Sequence, residues 1–149
     1  MAYVNQEDKK TLSPAIKAVL KKYNMKGTIG IRNHSTLIVK LKSGAIDFLE
    51  GMSRKYRESR MELNTEYTGS KEAAFELLKE QANCDDVNEY WIDANYVGDT
   101  KDFLLELKSA MEGPDFFNDD DSMTDYFHRS HYIDIQVGKD WKTPYQQVA

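Results

Sequence analysis

The chain has 149 residues, 40% hydrophobic, 30% charged and 11% aromatic with a net charge of −5, a balance that suits one globular domain able to bury a core without staples. No apolar run approaches the roughly 18 residues of a membrane span, and the polar opening MAYVNQEDKK does not read as a signal peptide. Cys84 is the single cysteine, which excludes a disulfide framework and a multi-cysteine zinc site and points to a reducing cytoplasm.

Asn5 with Asp8 is a weak helix start, and Ser13-Pro14 is the stronger one, with Ser as N-cap and Pro at the first helical position. Ile16, Val19, Leu20 and Tyr23 then make one apolar stripe, ending near Asn24, which tolerates the left-handed conformation. Thr28 to Arg32 and Thr36 to Lys42 are β-rich runs separated by Asn33-His34-Ser35, a hairpin with a short loop. Alternation places Leu37, Val39 and Leu41 on a core face, and Ile38, Lys40 and Lys42 on the other, with Lys40 in solvent. Gly30 leaves a gap where another group can lie close.

A second helical stretch is expected from Ser43-Gly44 through Ile46, Leu49, Met52 or Ser53, and Tyr56, with Met61 to Gly69 as a surface connection. Ser70 caps a third helix with Ala74, Leu77, Leu78 and Gln81 inside, and Tyr90 to Ile92 reads as a short extended piece. Asp99 caps a fourth helix, whose Phe103, Leu104, Leu107 and Met111 face inward until Gly113-Pro114 stops it. Tyr132 to Gly138 is the last strong strand and is expected to pair with the hairpin, and Trp141 and Tyr145 are expected to pin the end of the chain. The order argues for a single α+β domain over residues 1–149. It would be a small, mostly antiparallel sheet (hairpin 28–42 plus strand 132–138) with about four packed helices.

The opening MAYVNQEDKKTLSPAIKAVLKKYNMKGTIGIRNHSTLIVKLKSG, with NEYW, FLLELKSAMEGPDFFNDDDSMTDYF and HYIDIQVGKDWKTPY further along, resembles a family of small phage-encoded proteins. The same module is similar to a domain associated with large polyvalent proteins of phages and plasmids. The family tends to read GKW-x-KPY near the end, where this chain has GKDWKTPY with Asp140 inserted. The resemblance implies action in the cytoplasm of an infected bacterial host, as an accessory protein of takeover or counter-defence such as anti-restriction. It implies a host protein or defence complex as partner, and it carries no catalytic residues and no cofactor.

Charge gives the residues most open to binding. Residues 1–60 hold 13 Lys and Arg against 5 Asp and Glu, and residues 61–149 hold 7 against 20. Either the halves neutralise each other when folded, or each offers a charged surface to a partner. A nucleic-acid surface would use Lys17, Lys21, Lys22, Lys26, Arg32, His34, Lys40 and Lys42, joined into one patch if the first helix packs beside the hairpin. Asp119, Asp120, Asp121 and Asp125 could receive a basic protein. An enzyme is the remaining class, with a dispersed site around His128, His131 and Asp134; two histidines three apart could begin a metal site on a helix but point to opposite faces of a strand. Asn118, Asp120 and Ser122 superficially resemble a calcium loop, but Met123 and Arg129 stand where Gly and Glu are required. No GxxxxGK[ST], GxSxG or HExxH occurs, so nothing supports an NTPase, a serine hydrolase or a zincin. The overall expectation is a non-catalytic protein with no metal, acting through surface charge.

Overall fold

The computed structural model describes residues 2–117, 130–140 and 142–148. The first helix, α1 (Gln6–Lys22), begins at the weaker of the two expected starts. Asn5 and Asp8 form a capping box: the Asn5 side chain accepts from the Asp8 N–H at 2.8 Å, and the Asp8 carboxylate accepts from the Asn5 N–H at 3.0 Å. Pro14 therefore lies inside the helix, where Ile16 and Leu20 on the buried side, with Leu12 half-buried beside them, outweigh its lost hydrogen bond. Asn24 takes the expected left-handed conformation, with φ 55°.

Strands β1 (Met25–Arg32) and β2 (Thr36–Gly44) form the antiparallel hairpin, each longer than its β-rich run. Asn33 and His34 both have positive φ, and the Ser35 N–H reaches the Arg32 carbonyl at 3.2 Å, the pattern of a type I′ turn. A bulge between Lys26 and Gly27 shifts the register, and Gly27 is required there, since a Cβ would come within 2.7 Å of the Lys40 carbonyl oxygen.

Residues 45–53 are turns and not a helix, burying Ile46, Phe48 and Met52. Helix α2 (Arg54–Thr68) starts where the Ser53 hydroxyl accepts from the Tyr56 N–H and ends at Gly69, whose φ of 80° is a left-handed C-cap. The Met61 to Gly69 stretch, expected as a connection, is thus mostly helix; its polar composition reflects a helix with Asn64 as its one buried residue. Helix α3 (Lys71–Ala82) follows with its Ser70 cap and buried Ala74 and Leu78, as read from sequence.

The next extended piece lies earlier than expected, as β3 (Asp85–Val87), while Ile92–Asn95 is a single helical turn, α4. Helix α5 (Gly98–Glu112) buries Phe103, Leu104, Leu107 and Met111 completely, although Val97 rather than Asp99 stands at its cap. Strand β4 (Tyr132–Val137) and the two-residue β5 (Gln146–Gln147) complete the sheet.

The strand order is β1-β2-β4-β3, with β5 beside the end of β2. The α+β class stands, and β4 does pair with the hairpin. Antiparallel ladders make up most of the pairing, but β4 lies parallel to β2, with Leu37 opposite Ile133 and Leu41 opposite Val137. All five helices give apolar side chains to one core against Leu37, Val39, Leu41, Ile135 and Val137. Tyr145 closes that core: its ring meets Phe48 edge-on at 4.9 Å, and its hydroxyl donates to the Ile46 carbonyl at 2.7 Å. Trp141 lies outside the described residues. Asp140 makes its own turn, accepting from the Lys142 and Thr143 N–H groups at 2.9 Å.

Candidate nucleic-acid interface

With the helices gathered on one side, alternate residues of the strands point to the other. Pairing sets them in rows: Thr28, Lys40, Gln136 and Asp86 across one, and Gly30, Ile38 and Asp134 across the next. Ile38 is buried yet takes no part in the core, so its burial comes from its neighbours on this face, which among the described residues no helix covers. Lys40 is half-buried, a correction to its expected place in solvent. On a central strand it stands between Thr28 and Gln136, whose side chains flank its methylene stem.

A shallow groove of about 330 Å³ runs over the hairpin end of this face, floored by Thr28, Gly30 and Ile38 and edged by Lys40, Lys42 and Lys139. A Cβ built on Gly30 would meet nothing within 4 Å, so the backbone there lies bare. None of the three lysines joins an ion pair among the described residues. Lys139 is the site residue that sequence reasoning missed. The Gly138 N–H donates to the Leu41 carbonyl at 2.8 Å, which carries Lys139 to the Lys42 end of β2. Only the parallel direction of β4 does this, and nothing in its alternation reveals that direction.

The other expected basic residues do not gather here. Lys17 and Lys21 stay exposed on α1, which packs against β1 through Ile16 and Leu20 on the core side; Lys17 lines a separate surface with Lys9 and Lys10. Lys22 is engaged by Glu106 at 2.7 Å, and Tyr23 donates to the same carboxylate; the two bonds hold Glu106 below the ordinary carboxylate range. Lys26 is exposed at the start of β1, alternating with Met25 and on the side of Thr28. Arg32 pairs with Asp134 at 3.3 Å, and Gln136 donates to that carboxylate at 2.9 Å. His34 is exposed at the hairpin tip, its carbonyl accepting from the Val4 N–H at 2.8 Å. The single patch expected from the sequence is therefore two, one on α1 and one on the sheet.

The first reading of the charge asymmetry, neutralisation between the halves, holds in part. Lys22–Glu106, Arg32–Asp134 and the half-buried Arg60–Asp85 pair at 2.6 Å join the basic half to the acidic half. The groove lysines are left over. Beyond them the face turns acidic: Asp86 has its carboxyl pushed up by loss of solvation, then by Asp134 and Asp85. Cys84, half-buried nearby, has its thiol pushed up by burial and by Asp140, Asp85 and Asp86, which leaves it a poor nucleophile.

Asp119, Asp120, Asp121, Asp125 and His128 lie outside the described residues. His131 is buried, its Nε2 2.9 Å from the Met111 carbonyl and its ring edge-on to Phe116. Asp134, three residues on, sits on the uncovered face, so the two do not converge. Among the described residues no cluster of three His, Cys, Asp or Glu side chains could hold a metal ion, and no helix is long and apolar enough to cross a membrane. Set beside known proteins, the chain matches no family model and shows no significant similarity to a curated protein or a solved structure.

Proposed function

We propose that this chain is a phage accessory protein that acts by binding, and that the macromolecule it engages is a nucleic acid held on the uncovered face of the sheet. The observation that carries this reading is the groove edged by Lys40, Lys42 and Lys139, three cations free of ion pairs among the described residues, beside a bare glycine backbone. Lysines without an ion pair on a sheet face attract phosphate, and the counterions released from the neutralised phosphates make the affinity steeply salt-dependent. The infected host and the counter-defence role belong to the same proposal and rest on the family resemblance. A titration of labelled oligonucleotide at rising salt tests it. Binding that weakens steeply with salt, and is lost when the groove lysines become glutamine, supports the reading; absence of binding at low salt sinks it.

A host protein as partner is the second reading. Leu63 and Tyr67, one turn apart on α2, are 64% and 85% exposed, an apolar pair of the kind that anchors protein contacts. Affinity purification from infected cells with wild type and with Leu63→Ser/Tyr67→Ser decides it. A host protein retained by wild type and lost by the variant favours this reading over the first.

A further inference from the structure

Charge on the uncovered face is divided across its width. Lys40 and Lys42 stand on β2, with Lys139 brought alongside by the end of β4, while a carboxylate stands on the far side: Asp86 lies two strands from Lys40, and the nearer Asp134 is engaged by Arg32. Strands lie about 4.8 Å apart, so less than about 10 Å separates the lysine row from the Asp86 row. On the other side β1 is the edge of the sheet, and the face ends. The basic strip is one phosphate backbone wide.

Resting on the nucleic-acid reading, we infer that the groove takes a single strand and discriminates against duplex. A duplex seated on these lysines presents a second phosphate row across a groove of about 6 or 12 Å, which falls over the Asp86 side or beyond the β1 edge. Repulsion or lost contact follows in either placement. A single backbone needs no more width than the strip provides, and its bases are free to turn toward the floor. The floor has room for a planar ring at Gly30, whose backbone has open space above it. The lysines hold phosphates while a base lies over the Gly30 backbone, a contact that selects no sequence.

The test uses fluorescence anisotropy at low salt with a labelled 20-nucleotide DNA strand of mixed sequence, alone and annealed to its complement. The single strand should bind at least about tenfold more tightly, and Lys40→Gln/Lys42→Gln/Lys139→Gln should abolish most of that affinity. Gly30→Ile leaves the charge unchanged and, with nothing near its Cβ, should fold; it should still weaken single-strand binding by about threefold or more by blocking the floor. Asp86→Asn should narrow the gap between single strand and duplex. Thermal melts confirm that each variant is folded before it is titrated. Duplex bound as tightly as single strand overturns the inference and leaves the nucleic-acid reading standing, as does single-strand binding that needs the groove lysines but is indifferent to Gly30→Ile; single-strand binding indifferent to the groove lysines overturns both. Absence of binding to either probe overturns both.

Discussion

Along the nine residues of β2, Leu37, Val39 and Leu41 are wholly buried against helices, while Ile38, Lys40 and Lys42, interleaved with them, line an open groove. Both sets share one backbone and one pair of neighbouring strands, so the difference lies in what is stacked on each side. On the covered side every side chain is matched by helix residues, and changes of volume are felt. On the open side the same pleat holds long cations over a gap, where removing a side chain leaves only water. One face of the strand serves stability, and the other is free to serve recognition.

The largest test of that contrast is Leu37→Ala, which should cost about 2–5 kcal/mol, against about 0.5 kcal/mol or less for Lys40→Ala. Urea unfolding measures both, and equal losses would erase the distinction between the faces. A pair of glycines sharpens it. Gly27→Ala should cost about 1–3 kcal/mol, because its Cβ runs into the Lys40 carbonyl, whereas Gly30→Ala should be neutral or slightly stabilising.

Charge on the open face predicts smaller effects. The Asp86 carboxyl is raised in the fold, so the native state holds its proton more firmly than the unfolded chain does. Its contribution is absent in acid, where both states are protonated, and turns unfavourable as pH rises through its folded pKa. Asp86→Asn should therefore match wild type near pH 3 and exceed it at pH 7 by only a few tenths of a kcal/mol, roughly, as surface charges do. Melting curves at the two pH values check the sign. Cys84 gives a chemical readout with no expected change in stability: its raised thiol should alkylate more slowly at neutral pH than free cysteine, followed by mass spectrometry.

Alternation and capping were the legible parts of the sequence. Leu37 to Leu41, the third helix behind Ser70 and the apolar face of the last long helix all followed from spacing alone. The errors fell where two local signals competed. Ser13-Pro14 looked like a helix start, but the reciprocal bonds of Asn5 and Asp8 satisfied two orphan donors earlier, and the helix ran through the proline. Residues 61–69 looked like a connection because α2 is polar nearly all round, and Gly69 as its C-cap was the signal overlooked. For the groove, Lys40 and Lys42 were visible as a pair, but Lys139 depended on strand direction. Arg32 and Lys22 were counted as free cations because their partners, Asp134 and Glu106, are remote in the chain.

The parallel ladder also sets a timetable. β2 leaves the ribosome with β1 as its only neighbour, and its second edge is filled only by residues 132–137 and 146–147. At about 5–20 residues per second that edge stays open for roughly 5–20 s during each round of synthesis. A nascent hairpin with three large apolar side chains and an unpaired edge is a template for association with its own kind. Lys40 and Lys42 sit on that same strand, where repulsion between newly made copies works against such pairing. Repulsion between these lysines on neighbouring copies would act while the chain is being made, before there is any groove for them to line.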